Sequence, residues 1–252
     1  MIILTVEELK DYCHCPTLYE KKYVQLEKPS RSRDSSHYDG HSHIVNEAQR
    51  AIKELTGFYF HRLMDDRQVR FETLYHKWES KWWGKYSGRD IMDYVQPVSR
   101  ANRVRINTNF INHLPKFHKT FHKPFKPIAV DREMLFPSGS IVLTSRLEMA
   151  YRTDNDTVRI VKFLPSRISP GSPDRDLELL AQACAWMLHN EEDRVEVAYY
   201  CMLSPDEYEP FTVKTVDKTL IPRLVRIMKA FQERELPIPE DCNGCEYICE
   251  VT

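Results

Sequence analysis

Apolar residues recur every three or four positions from residue 44 to about residue 112, which is the spacing of amphipathic helices. Within this segment Phe71, Trp78 and Trp82 fall on one helical stripe, which is more typical of core packing than of a base-stacking surface. Residues 28–43, just before it, contain almost nothing apolar and predict a loop. The first half of the chain is therefore predicted to be mostly helical.

A shorter helix is expected near the start of the chain. Thr5 and Glu8 have the spacing of a capping box, in which each side chain bonds the backbone N–H of the other residue. A helix should therefore begin at Thr5 and run toward Tyr12. Pro16 should begin a second helix, because proline is favoured in the first helical turn.

The pattern changes after Pro127 to short runs rich in β-branched and aromatic residues, which favour strands. Asp154 and Asp156, on either side of an asparagine, predict a hairpin turn between two of these runs. Farther on, the apolar run LELLAQACAWML predicts a buried helix, and residues 217–233 predict a closing helix. The predicted strands are 128–136, 141–152, 157–164, 195–203 and 209–216.

This order of helices and strands predicts an α/β fold with a mixed central sheet flanked by helices. No internal repeat is visible, and 252 residues with 42% hydrophobic composition can form one domain with a sizeable core. We therefore expect a single domain over residues 1–252, in which residues 44–126 are a large helical insertion.

Composition argues against several classes of protein. No run of 18 apolar residues is present and acidic residues come too early for a signal peptide, so a cytoplasmic protein without a membrane span is expected. Only 7 residues are glycine and no glycine-rich phosphate-loop motif occurs, which argues against nucleotide hydrolysis. The net charge of −1 excludes a uniformly basic coat but allows a local basic patch.

Three of the seven cysteines lie close together near the C-terminus, with a spacing typical of metal ligands in a cytosolic protein. Cys242 and Cys245 form a CxxC pair, and Cys249 follows four residues later. A fourth ligand must come from elsewhere, and Cys13 and Cys15 are the candidates, which would join the two termini. Four thiolates suit either zinc or an iron–sulfur cluster, and a tail of free thiols is the alternative.

A basic stretch lies between Ser99 and Lys126, where the sequence has seven Lys or Arg residues and no carboxylate. Phenylalanines interleave with the cations, which is the composition expected where a protein follows a phosphate backbone. The alternative is a solvated charged face whose phenylalanines point into the core. The DNA-contact candidates are Arg100, Arg103, Arg105, Lys116, Lys119 and Lys123, and the aromatic residues are Phe110, Phe117, Phe121 and Phe125.

The opening LTVEELKDY followed by CPTLY at Cys15, and the closing PIP followed by Cys242, Cys245 and Cys249, together resemble a known family. The family is the RecB-like nuclease domain of the PD-(D/E)XK superfamily, in the iron–sulfur branch that includes CRISPR-associated exonucleases and the AddB helicase–nuclease subunit. The resemblance implies a 4Fe-4S cluster on these four cysteines, with zinc as the alternative. The family has five residues between the last two cysteines, whereas this chain has three. The cluster-binding ends are residues 1–27 and 235–252.

The middle of the chain resembles the same family in its framework but not in its catalytic groups. The first metal-binding carboxylate of the family aligns with Glu148, at the end of TSRLE. Its (Asp/Glu)-x-Lys motif aligns with Lys162 and Leu164, so a lysine replaces the second carboxylate and a leucine replaces the catalytic lysine. Its Gln-x-x-x-Tyr motif aligns with Gln182 and Trp186, which are expected to contact DNA or to order the active site. The upstream histidine of the family has no clean match.

These substitutions imply a site that has lost catalysis. Hydrolysis of phosphodiesters in this family needs a divalent cation held by at least two carboxylates, and Lys162 would repel that cation beside Glu148. Leu164 can neither donate a hydrogen bond nor carry charge. We therefore expect a nuclease-like iron–sulfur subunit that is not an enzyme, in which Glu148 is a vestigial metal ligand. It would bind DNA or assemble with protein partners in a larger nucleic-acid-processing complex.

Three alternatives remain open. Asp131, Glu133 and Glu148 lie on neighbouring predicted strands and could gather Mg²⁺, which would make the chain an active metal-dependent DNA exonuclease with Lys162 as a relocated lysine. The chain would otherwise be a scaffold subunit that binds protein and no DNA. The last alternative is a zinc-binding regulatory protein unrelated to nucleases.

Overall fold

The computed structural model describes residues 1–14, 16–24, 40–83, 97–122, 125–165, 172–203 and 209–234. The chain is an α/β protein with a mixed six-stranded sheet flanked by helices. The described helices are α1 (Val6–His14), α2 (Pro16–Tyr19), α3 (Gly40–Met64), α4 (Phe71–Trp83), α5 (Pro97–Thr120), α6 (Leu177–Asn190) and α7 (Ile221–Gln232). The strands are β1 (Ile2–Thr5), β2 (Pro127–Ser138), β3 (Ile141–Arg152), β4 (Val158–Leu164), β5 (Arg194–Cys201) and β6 (Phe211–Asp217).

Local sequence signals predicted most of these elements correctly, with boundaries shifted by a few residues. The capping box is present: the Thr5 N–H donates to Glu8 Oε2 at 2.7 Å, and the Glu8 N–H donates to Thr5 Oγ1 at 3.1 Å. The hairpin turn at 154–156 is present too, closed by a 2.9 Å bond from the Thr153 N–H to the Thr157 carbonyl. These signals act over three or four residues, so tertiary packing does not override them.

The helical segment is divided differently from the prediction. Helix α3 already includes residues 40–43 of the predicted loop, and residues 28–39 lie outside the described part of the chain. It ends because Asp66, with a φ of 57°, adopts the left-handed conformation that terminates helices. Helix α5 continues past residue 112 to Thr120. None of the described helices has the length and apolar character needed to cross a membrane.

Strand β3 organises the sheet and leaves a gap in it. Strand β2 runs antiparallel along one edge of β3. On the opposite edge, β1 pairs in parallel with residues 141–144, and β4 pairs antiparallel with residues 149–152. Residues 145–148 therefore have no partner on that edge among the described strands. Strand β5 continues the sheet parallel to β4, and β6 closes it antiparallel to β5.

Two hydrophobic cores lie on opposite faces of this sheet. One core joins the sheet to α1, α6 and α7, and the other joins it to α3, α4 and α5. Successive residues of β4 alternate between them, since Ile160 belongs to the first core and Val161 and Phe163 belong to the second. The predicted helical insertion thus covers one whole face of the sheet and forms a layer of the fold.

The aromatic stripe of α4 is part of this second core, as predicted. Trp78 and Trp82 are buried, and the ring of Trp78 is stacked with that of Phe110 from α5. Phe117 and Phe121 of the basic stretch are buried as well. Three of the four interleaved phenylalanines therefore pack inside the protein, which is the alternative interpretation of that stretch, and these three are not available to stack on bases; Phe125 is half-buried.

Candidate functional site

Glu148 and Lys162 lie at the point where β3 and β4 separate. The last paired residues of these strands are Met149 and Val161, and Glu148 and Lys162 are the next residues on each strand. Beyond this point a side chain takes over from the strand pairing, because Glu148 Oε2 accepts a 2.8 Å hydrogen bond from the backbone N–H of Phe163. The two positions singled out from the sequence are therefore brought together at the gap in the sheet.

The carboxyl group of Glu148 is buried beneath α3. Burial raises its pKa to about 7, although the Phe163 N–H and the nearby Lys53 act in the opposite direction. At neutral pH the group is therefore close to half protonated. A protonated carboxyl is a poor ligand for a divalent cation, since such cations bind the ionised form.

The ammonium group of Lys162 is held by two carboxylates at the start of α6. Its Nζ lies 2.9 Å from Asp176 Oδ2 and 2.6 Å from Glu178 Oε2. Asp176 is also the N-cap of α6, accepting the Glu178 N–H at 2.8 Å, and it accepts the hydroxyl of Tyr199 at 2.9 Å. Lys10 of α1 lies 3.3 Å from Glu178 and 3.6 Å from Asp176. Two lysines and two acids thus form one network that links α1, β4, β5 and α6.

The pKa values of Lys162, Asp176 and Glu178 show that these three members of the network are charged. Burial alone would raise the pKa of Asp176, but Lys162 and then Lys10 outweigh it and lower that pKa to about 2. The same balance holds the pKa of Glu178 below its usual value. Burial would lower the pKa of Lys162, but Asp176 and Glu178 raise it above its usual value. The ammonium of Lys162 is therefore charged under ordinary conditions, and the two carboxylates balance its charge.

Sequence reasoning missed Asp176, Glu178 and Lys10. One signal was present, because an aspartate directly before an apolar helical run is a typical N-cap. That signal predicts the start of α6 but not the contact with Lys162, which depends on the packing of the helix against the sheet.

Gln182 is buried on the inner face of α6, with 2% of its surface exposed. Its Nε2 donates a 3.1 Å hydrogen bond to the carbonyl of Arg146, in the part of β3 that has no partner on its β1/β4 edge among the described strands. Trp186, one turn later, is buried too. Their burial leaves neither side chain exposed for direct contact with DNA, and a role in ordering the active site stays a prediction.

The carboxylates of the alternative, relocated metal site occupy different surroundings. Asp131 has a φ of 50° and binds Arg146 through two hydrogen bonds, one of them 2.6 Å from Nη2 to Oδ2, and this contact lowers the pKa of Asp131. Glu133 is exposed, whereas Glu148 is buried. Over the described ranges, no three His, Cys, Asp or Glu side chains come together as a group that could hold a metal ion.

A cleft runs between α3 and the β2–β3 hairpin. One part has a volume of about 450 Å³, and its walls include Lys53, Phe58, Lys77, Arg146 and Glu148. An adjoining cavity of about 520 Å³ shares Lys53 and Arg146 and extends to the start of α1. No sequence pattern indicated these lysines, because they lie on helices of mixed composition, distant in the sequence from β3.

The structure corrects one member of the basic stretch. Arg103 has 4% of its surface exposed, forms an ion pair with Glu47, and lies with its guanidinium 5.1 Å from the ring of Trp82. Arg103 therefore stabilises the packing of α5 against α3 and α4 and is not available for a DNA contact. Its burial could not be predicted from the sequence, because the residues that pack around it are distant in the sequence.

The other cations of the stretch differ in exposure. Arg105 and Lys119 are exposed on α5, whereas Arg100 and Lys116 are half-buried. Lys123 lies outside the described residues. A DNA-contacting role for α5 thus rests mainly on Arg105 and Lys119.

The four predicted cluster ligands, Cys15, Cys242, Cys245 and Cys249, lie outside the described residues, so the cluster stays a prediction. The described parts nearest to them do meet. Tyr12 and Tyr19, on either side of position 15, pack with their ring centroids 5.0 and 5.3 Å from that of Phe231, near the end of α7. Cys13 is half-buried and packs against the first core.

Comparisons with known proteins do not identify a family. No protein-family model matches the chain, and no curated protein matches it. Among solved structures, one described as the crystal structure of SSO0001 aligns over 98% of this chain and 84% of its own length, with 13% sequence identity and a TM-score of 0.39. A similarity of that size supports no conclusion about function.

Proposed function

We propose that this chain is a RecB-like, nuclease-related subunit that has lost catalysis and binds DNA within a larger nucleic-acid-processing complex. The observation that carries the proposal is the position of Lys162. Its ammonium lies 2.9 Å from Asp176 and 2.6 Å from Glu178, one residue beyond the last pairing with the strand that bears Glu148. A lysine engaged by two carboxylates thus occupies the position that aligns with the second metal-binding carboxylate of the family.

The electrostatics of this arrangement oppose a divalent cation. Lys162 supplies no carboxylate for a divalent cation, and the neighbouring carboxylates of Asp176 and Glu178 are already engaged by Lys162 and Lys10. The cation would also have to displace the proton from a carboxyl whose pKa is about 7. Leu164, two residues after Lys162, offers neither a charge nor a hydrogen bond to assist hydrolysis.

The exposed cations of α5 support the DNA-binding part of the proposal. Arg105 and Lys119 are both exposed and lie 14 residues apart in one helix, a separation of roughly 21 Å along the helix axis. Two cations at that distance can contact separate phosphates of one nucleic acid. The basic stretch carries no carboxylate that would compete for them.

We expect the purified protein to bind labelled DNA without cutting it. Binding should weaken as salt rises from about 50 to about 200 mM, because each phosphate contact releases counterions. The labelled strand should keep its length on a denaturing gel after incubation with Mg²⁺ or Mn²⁺, because the site lacks the second carboxylate needed to hold the metal. The matched control is the Glu148→Ala variant, which should behave like the wild type in both respects.

Two results would contradict parts of this proposal. Digestion that requires metal and disappears in Glu148→Ala would establish the active exonuclease with relocated carboxylates. Absence of any salt-dependent DNA binding would favour the scaffold subunit that contacts only protein.

The proposal includes a 4Fe-4S cluster held by Cys15, Cys242, Cys245 and Cys249, with zinc as the alternative metal. It is supported by the cysteine spacing and by the packing of Tyr12 and Tyr19 on α7, which brings the neighbourhood of position 15 next to the last described helix. When bound, such a cluster supplies a covalent link between the two ends of the chain.

Anaerobically purified protein should be brown, bleach on reduction and contain iron. Serine at Cys245 should abolish the colour, whereas serine at the buried Cys184 should leave the iron content unchanged. Colourless protein containing zinc would replace the iron–sulfur cluster by a zinc site, and protein without either metal would remove the metal site from the proposal.

A further inference from the structure

We infer that the cleft between α3 and the β2–β3 hairpin binds the phosphates of a single nucleic-acid strand through Lys53, Lys77 and Arg146. The inference rests on the proposed function and deepens it. It gives the nucleic acid a binding site separate from the basic stretch of α5, and it selects a single strand over a duplex.

The two lysines have no ion pair among the described residues, and the ion pair of Arg146 with Asp131 leaves one edge of its guanidinium open. Neither Lys53 nor Lys77 has a carboxylate partner in the described part of the chain, and Lys53 is exposed. Lys77 Nζ lies 4.7 Å from the ring centroid of Phe58, a cation–π contact that orients the ammonium at the cleft. Arg146 is oriented by Asp131 through Nε and Nη2, which leaves Nη1 available for an anion.

The carboxylates that line the same part of the cleft are already engaged. Asp131 is paired with Arg146, and Glu54 is paired with Lys81. Glu148 is buried at the base and accepts the Phe163 N–H. Lys53 and Lys77 therefore leave a surplus of positive charge toward the cleft, which the partly ionised Glu148 only reduces, and such a surplus in a concave site attracts phosphate.

The adjoining cavity has the opposite character. Besides the shared Lys53 and Arg146, its lining includes the carboxylates of Glu7, Glu133 and Glu178. A phosphate chain would be repelled there, so the strand should occupy the part lined by Phe58 and Lys77.

The size of the cleft favours a single strand. A volume of about 450 Å³ is that of a small-molecule pocket, so the cleft cannot enclose a duplex. One nucleotide or two of a single strand fit this space. Phosphate contacts of this kind carry no sequence information, so binding should be independent of sequence.

The test measures fluorescence anisotropy of labelled oligo-dT and of a labelled duplex of the same length with the full chain. The variant is Lys53→Glu with Lys77→Glu. The control, Lys214→Glu with Arg226→Glu, makes the same charge change at exposed positions on β6 and α7. We expect the cleft variant to bind oligo-dT at least tenfold more weakly than the control does, at about 50 mM salt.

A milder pair, Lys53→Gln with Lys77→Gln, guards against misfolding of the reversed variant. It should keep the wild-type melting temperature. The slope of log K for binding against log salt should become less negative by about 1.4, which corresponds to two lost contacts with a single strand. Inorganic phosphate at matched ionic strength should compete only weakly, because it replaces one contact of several.

The outcomes separate this inference from the proposed function. If the wild type binds DNA but the cleft variants match the control, or if only the duplex is bound, the cleft inference fails and DNA binding stands. If the wild type binds neither probe, both fail. Complete displacement of oligo-dT by inorganic phosphate would make the cleft a site for an isolated phosphate group instead.

Discussion

Replacing Lys162 by methionine is expected to destabilise the protein by about 3–5 kcal/mol. The change keeps the volume of the side chain but removes the cation held by Asp176 and Glu178. Two partly buried carboxylates would then face each other with only Lys10, 3.3 and 3.6 Å away, to compensate. Removing one partner of a buried ion pair typically costs this much, because an uncompensated charge remains. Urea denaturation at neutral pH measures the change.

The control is Lys218→Met, which removes a lysine from an exposed ion pair with Asp193. Exposed pairs contribute little, so this variant should unfold like the wild type. A Lys162→Met protein as stable as the control would mean that the network does not hold α6 against the sheet. The electrostatic argument for a lost metal site would then lose its structural basis.

The second large effect concerns Glu148 and the pH dependence of stability. In the folded protein its pKa is about 7, against 4.5 for an unperturbed carboxyl. The folded state therefore binds this proton more tightly than the unfolded state does, so the contribution of Glu148 to stability falls as the pH rises from about 4.5 to about 7. The pKa difference between the folded and unfolded states corresponds to a loss of about 3 kcal/mol in the free energy of unfolding.

Glu148→Gln should remove this dependence, because an amide does not ionise and its oxygen can still accept the Phe163 N–H. Measured by urea unfolding, the variant should gain stability relative to the wild type by about 3 kcal/mol between pH 5 and pH 8. Asp176 does not interfere, since its lowered pKa of about 2 makes its own contribution fall only under more acidic conditions.

Glu133→Gln provides the comparison, since it makes the same chemical change at an exposed position of the neighbouring strand β2. Its stability should follow the wild type across this pH range. If Glu148→Gln also follows the wild type, the carboxyl of Glu148 is ionised in the folded protein and remains competent to bind a cation. That result would reopen the interpretation of the site as a working metal centre.

These two predictions concern neighbouring groups with opposite environments. Lys162 is charged and contributes to stability through its ion pairs with Asp176 and Glu178. Glu148 is buried and accepts a hydrogen bond, but it forms no ion pair among the described residues. A site arranged for hydrolysis would place both groups around a shared metal. Here the ammonium is engaged by the α6 carboxylates, and the glutamate is engaged by the backbone of β4.

The identity of most elements could be predicted from local patterns. The apolar run of α6 and the Thr5–Glu8 capping box are examples in which neighbouring residues are sufficient. Strand β1 was missed, because four residues carry too little periodicity and the strand exists only through its pairing with β3. The division of the helical segment at Asp66 was missed for a related reason, since no glycine or proline marks that turn.

The sequence by itself determined the α/β class, the positions of Glu148 and Lys162 on successive strands, and the cysteine pattern, because each depends on residue type and short-range spacing. Only the tertiary structure decided which partners those side chains have. Asp176 holds Lys162 across 14 residues of chain, and Lys53 meets Arg146 in a cleft between a helix and a strand. Arg103 shows the same principle, because its burial against Glu47 results from helix packing. Charge and hydrogen-bonding capacity are encoded in each residue, but burial and ion pairing are properties of the assembled fold.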